Sequence, residues 1–265
     1  MIEGALILWF TLTILSLGYV LWDQYTNTPS MRIMTLAWAL IILYMGPVGL
    51  FIYFTSCRQP LPGTHDAFIA AHWKQAVGSL IHCIAGDATA IIALASVLYF
   101  TALPNGTEVI IEYIAAYLFG LFIFQALFMR SMFATYREAV MKSIFAETVS
   151  MNFVMAGMFP VIVIVKHFLP EASNPATLLF WGMMSLATLV GFALAYPINS
   201  WMVKRGVKHG MMSKPQGEKE IHHNMHEHME PTKLSPALTW GLVIGTYAFF
   251  IGAMIVTGCF VPIQF

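Results

Sequence analysis

His82, Cys83 and Asp87 lie inside one long apolar run, residues 75–101, QAVGSLIHCIAGDATAIIALASVLYFT. At 3.6 residues per turn they fall within about a turn and a half of helix. An imidazole, a thiol and a carboxylate so placed form a mixed ligand set: nitrogen and sulfur suit Cu(I) or Zn(II), and oxygen suits harder ions. A spanning helix needs about 20 apolar residues, and at about 1.5 Å per residue Asp87 comes roughly 18 Å from the Lys74 end. A carboxylate at that depth costs at least ~2.5 kcal/mol, so it is expected to face protein or a wet cavity and to serve transport, proton coupling or ligand binding. Gly78, His82, Gly86 and Ala90 recur every four residues, a stripe of small side chains that lets another helix approach His82 closely. Ser79, Cys83 and Asp87 form the adjacent stripe.

Two further groups carry chemistry. Glu147, Met151, Met155 and Met158 share one helical face, and by rise alone Glu147 matches His82 in depth while Met151 and Met155 bracket Cys83 and Asp87. If the two helices touch, thioether, thiol, imidazole and carboxylate can form one metal site; the plainer reading is that most of the 18 methionines fill core gaps and that Glu147 pairs with Lys142 or Arg137 near the headgroups. The second group is His222, His223, Met225, His226, Glu227, His228 and Met229. Such a tract captures transition metals without fixed ligand spacing; its plain reading is a solvated loop.

The elements that must position these residues follow from composition. Of 265 residues, 58% are hydrophobic and 10% charged, against roughly 45–50% and ~25% in soluble domains. The expected fold is all-α, a polytopic helical membrane protein forming a single integral domain over residues 1–265, because long unbroken apolar runs exclude a strand barrel. Seven spans are expected at residues 4–22, 32–54, 75–101, 109–129, 147–168, 177–198 and 236–257, with an interfacial amphipathic helix at 130–146. Residues 4–22 lack the basic start and cleavage site of a signal peptide and are expected to stay attached. Gly46-Pro47 and Gly49 are expected to bend the second span, and Pro160 the fifth. A polar His-rich loop at 199–235 is too long for a connector.

Alternate loops then divide the 13 basic residues into eleven on one side and two, Arg32 and Lys166, on the other. The basic side is expected to be cytoplasmic, with the N-terminus inside and the C-terminus outside, in a bacterial or archaeal cytoplasmic membrane. The cysteines Cys57, Cys83 and Cys259 form no CxxC pair, and no disulfide framework is expected. Pro197 should end the sixth span, leaving Trp201 in the aromatic belt and Lys204, Arg205 and Lys208 at the headgroups, with Asn199 and Lys208 as an alternative lipid or anion contact.

Met34, Trp38, Leu43-Tyr44, Gly46-Pro47 and Tyr53, then His82-Cys83-x-x-Gly86, then Tyr196-Pro197-x-Asn199-x-Trp201-x-Val203-x-x-Gly206-x-Lys208-x-Gly210-Met211 resemble the uncharacterised membrane-protein family catalogued as domain of unknown function 4396. The resemblance spans nearly the whole chain and implies a helical membrane fold, with a loose link to copper-handling proteins. Asp87 and the histidine tract fall outside the family pattern.

Enzymatic chemistry has little support: the sequence holds no HExxH, phosphate-cradling loop or Ser/His/Asp arrangement. Only His82 is deep, since His167 sits near the opposite face, so a bis-histidine haem is not expected. No nucleotide domain is present to drive a pump, and nothing points to nucleic acid. Two readings stand. The first is a transition-metal permease or delivery protein, copper foremost, with His82, Cys83, Asp87 and Met151 as its relay. The second is an accessory subunit packed against a larger membrane complex or a second copy through small-residue stripes such as Gly241, Gly245 and Gly252.

Overall fold

The computed structural model describes residues 2–28, 30–101, 103–126, 135–210 and 234–265. The histidine tract at 222–228 lies outside them. The elements are α1 (Ile2–Thr26), α2 (Arg32–Ser56), the short α3 (His65–Ile69), α4 (His72–Leu98), α5 (Asn105–Phe119) continuing as a π-helical segment (Gly120–Gln125), α6 (Tyr136–Phe168), a 3-10 turn (Pro170–Ser173), α7 (Leu178–Lys204) and α8 (Pro236–Gly258). There is no strand among the described residues. Side-chain oxygens at the first turns fix three of the starts: Thr135, Thr177 and Ser235 accept from the amides of Glu138, Phe180 and Leu238, which satisfies donors that a helix leaves open. Seven helices, counting α5 with its π segment as one, are long and apolar enough to cross a bilayer, and the protein is an integral membrane protein whose apolar surfaces contact lipid. The described part of the amphipathic segment, from Tyr136, forms the first turns of α6; Val140 faces inward while Arg137 and Lys142 are exposed.

α2 does more than bend. Gly46 takes φ 55° and ψ −135°, a backbone state that glycine reaches without penalty, and the two arms fold back on each other. The rings of Trp38 and Tyr53 meet edge to face at 5.1 Å, whereas fifteen residues of straight helix would separate them by about 22 Å. A Cβ on Gly49 would stand 3.3 Å from the Ile41 carbonyl oxygen, so the arms touch backbone to side chain just beyond the turn. At the open end the Tyr53 hydroxyl donates to Asp23 at 2.6 Å and Arg58 pairs with the same carboxylate at 3.1 Å. Both ends of this hairpin therefore lie beside the Thr26 end of α1. Irregular backbone at such depth survives only where protein covers it, and here Trp9 and Thr13 of α1 pack directly on Gly46.

The hairpin resets the topology. Ile2 and Gly258 were expected on opposite faces; they lie on the same one. Leu6 packs on Gly182 at the start of α7, and the segment after α8 bonds to the start of α5, where Gly106 N–H donates to the Gln264 carbonyl at 2.8 Å. Of the nine Lys and Arg among the described residues, eight sit on the face that holds the ends of α2 and the start of α4, and Lys166 alone sits opposite. Arg32 thus joins the majority it was expected to oppose.

Around α4 the core is dense. Leu80, Ile81 and Ile84 are fully buried with Trp38, Ile41 and Phe159. Met151, Met155 and Met158 belong to this apolar core. α6 crosses α7 where a Cβ on Gly157 would come within 2.7 Å of the Gly191 Cα. Such a contact admits only glycine and lets the two helices pack backbone to backbone.

A buried carboxylate centre

Asp87 of α4 and Glu147 of α6 are both fully buried, and they converge on one point. A Cβ on Gly120 would stand 2.5 Å from Asp87 Oδ1 and 2.6 Å from Glu147 Oε1. Gly120 opens the π-helical segment of α5, and an extra residue in a turn is a device that proteins favour at functional sites because it re-aims the backbone. No larger residue leaves room for two carboxylates there. Among the described residues, both oxygens of Asp87 and Oε1 of Glu147 have no hydrogen-bond partner.

Glu147 Oε2 lies 3.4 Å from the Cys83 sulfur, and Gln125 Oε1 lies 3.6 Å from it. The same sulfur accepts from Lys208 Nζ at 3.0 Å, and that amine also donates to Asn199 Oδ1 at 2.6 Å. Asn199 is fixed in turn: its amide donates to the Ala195 carbonyl at 2.8 Å and to Ser150 Oγ at 2.9 Å. Of the two readings of Glu147, the depth matching His82 is the one found, and the plainer pairing with Lys142 or Arg137 near the headgroups is not; α6 begins more than two turns earlier, at Tyr136.

Asn199 and Lys208 are not surface anchors. Both are buried, Lys208 at 4% exposure, and local backbone explains how. Past the end of α7, Gly206 adopts φ 64°, and the amides of Val207 and Lys208 donate back to the Met202 carbonyl. This reverses the chain. The chain then runs along α4, with Gly210 lying against Gln75, and the lysine side chain enters the bundle. His72 Nε2 meets the Ser200 carbonyl at 3.0 Å and ties α4 to α7 at the same level. Trp201 is partly exposed, with Arg205 over its ring at 6.0 Å, as an interfacial residue should be.

His82 is buried, with Nδ1 3.5 Å from the Cys83 sulfur, and Lys208 and His209 lie within electrostatic reach of it. Burial pushes the His209 imidazole below its ordinary range. Among the described residues no group of three or more His, Cys, Asp or Glu side chains is disposed to hold a metal ion. The physical reason is visible at Cys83: a lysine amine already stands at the sulfur where a metal would have to bind, and cations repel one another in a medium of low dielectric.

Sequence reasoning brings His82, Cys83, Asp87 and Glu147 to one region and misses Gln125 and the inward turn of Lys208. Gln125 is a polar residue at the end of an apolar run, and that was its available signal. The fold and this centre define a helical integral membrane protein with a buried cluster of ionisable side chains inside its bundle. The family model described as Domain of unknown function (DUF4396) matches residues 72–208, and the chain belongs to that family. The match runs from the first residue of α4 to Lys208, so it contains every residue of the centre. No curated protein and no solved structure matches.

Proposed function

We propose that the protein is a proton-coupled membrane transporter in which the Asp87–Glu147 pair takes up and releases the proton. One observation carries this reading: two fully buried carboxylates converge over Gly120, three of their four oxygens lack partners among the described residues, and a buried lysine stands in the same cluster. Two carboxylates and one ammonium carry a net charge of minus one, which is costly in hydrocarbon. A single proton held between the carboxylates makes the cluster neutral and satisfies two oxygens at once. Ionisable groups inside a membrane bundle mark proton relays and ion pathways.

The excess of basic residues on the face holding His72 and Arg58 supports a cytoplasmic assignment for that face. With the α2 hairpin, Ile2 and Gly258 then both lie outside. The test is proton flux into proteoliposomes loaded with a pH-sensitive dye and driven by a potassium diffusion potential. Wild type is expected to acidify the lumen, and Asp87→Asn and Glu147→Gln to abolish the signal. Equal rates for wild type and both variants would overturn the reading.

The accessory-subunit reading has its own observation. Gly241, Gly245 and Gly252 of α8 have open space where a Cβ would stand, and an apolar groove lined by Pro160, Ile164, Gly252, Val256 and Phe260 runs beside them. A helix of a partner or of a second copy fits such a face. Transition-metal handling, with Cu(I) or Zn(II) held by His222, His223, His226 and His228, rests on residue type alone.

A further inference from the structure

We infer that Glu112 is the outer proton acceptor, receiving protons from the face opposite Lys208 and passing them to the Asp87–Glu147 pair. The inference deepens the proton-coupled reading and rests on it. Glu112 of α5 is 1% exposed, and its Oε1 has no hydrogen-bond partner among the described residues. It lines a cavity of about 240 Å³ together with Asn105, Glu108, Lys166 and His167, residues that belong to the Asn105 end of α5 and the Phe168 end of α6. The charged groups facing it are Glu108 on its own helix and Lys166 on α6, which pair with each other at 2.9 Å, and His167 shares the cavity wall. Lys166 is therefore occupied by Glu108, and the Glu112 carboxyl is left to take a proton from the cavity.

Glu112, Ala116 and Gly120 follow at intervals of four on one stripe of α5, and Gly120 is the residue under the carboxylate pair. Eight residues of helix make roughly 12 Å. Polar side chains occupy that interval on the neighbouring stripe: the Tyr113 hydroxyl donates to Asn152 Oδ1 at 2.8 Å, the Asn152 amide donates to Thr246 Oγ1 at 3.0 Å, and the Tyr117 and Thr148 hydroxyls meet at 3.1 Å. Hydroxyls can accept and donate in the same step. A proton taken from outside water makes Glu112 a neutral acid; its release to the pair returns the carboxylate, and no other bond is made or broken.

The experiment is the same proteoliposome assay with Glu112→Gln and Glu112→Asp, each checked for monodispersity after purification. Glu112→Gln keeps the shape and loses the exchangeable proton, so its flux should fall about a hundredfold or more, the scale expected when a positioned proton-transfer group is removed. Glu112→Asp keeps a carboxyl and should retain most of the flux, which a purely structural role would not require. Wild-type flux in Glu112→Gln overturns this inference and leaves the Asp87–Glu147 reading standing. Absence of flux in wild type overturns both.

Discussion

Lys208 Nζ stands 3.0 Å from the Cys83 sulfur, joining residues 125 positions apart and placing a cation that follows α7 inside the bundle beside two carboxylates. The contact makes the centre a balance of charges, and balances can be tested by removing one side. Lys208→Met should destabilise the protein by about 3–5 kcal/mol, the cost of leaving buried charge without its partner, read as a lower midpoint of thermal unfolding in detergent. Adding Asp87→Asn removes a negative charge and should recover much of that loss. A double variant no more stable than Lys208→Met would show that the two charges do not balance each other.

The turn at Gly46 gives a second expectation. Its positive φ disfavours any L side chain, and a Cβ would come 2.6 Å from Thr13 Oγ1 and 2.9 Å from the Trp9 ring. Gly46→Ala should therefore cost about 3 kcal/mol, combining backbone strain and overpacking. Gly63 also has positive φ, but its Cβ would meet nothing, so Gly63→Ala should cost only the backbone strain, about 1–2 kcal/mol. Equal losses at the two sites, measured by thermal unfolding, would contradict the packing of α1 on the hairpin.

Topology can be read from the protein's own thiols. Cys259 is exposed and follows α8, whereas Cys57 and Cys83 are buried. An impermeant maleimide should label Cys259 on intact cells. In a Cys259→Ser background, Ile2→Cys should be labelled equally well without permeabilisation, because the hairpin puts both positions on one face. Labelling of Ile2→Cys only after permeabilisation would restore a seventh crossing.

Metal content separates the centre from the histidine tract. Since Lys208 Nζ occupies the near side of Cys83, copper or zinc that copurifies should disappear on deleting residues 222–229 and should be unchanged by His82→Ala with Cys83→Ser. Elemental analysis of anaerobically purified protein checks this. Near-stoichiometric metal that survives the deletion and is lost in the double variant would place the metal in the bundle instead.

Much of this architecture can be read from the chain because the bilayer is a demanding solvent. Apolar runs reveal their helices, and Asp87 stands out because a carboxylate in hydrocarbon requires a reason. The same rule applies to Glu112, which lies inside the apolar run 109–129, yet it was not singled out from the sequence. The hairpin is less legible: residues 32–54 have the length and apolarity of a crossing, and Gly46-Pro47 marks a bend without giving its angle. Lys208 is hidden for a different reason. A basic residue just after a helix ordinarily meets headgroups, and only the reversal at Gly206 turns it inward.

The most direct test of the carboxylate centre is infrared difference spectroscopy of the reconstituted protein across a pH titration, following the carbonyl stretch of protonated carboxylic acids. A titrating band is expected that is lost in Asp87→Asn and shifted in Glu147→Gln, where the remaining carboxyl has lost its neighbour. A spectrum with no such band, or one unchanged by Asp87→Asn, would contradict proton binding at the pair.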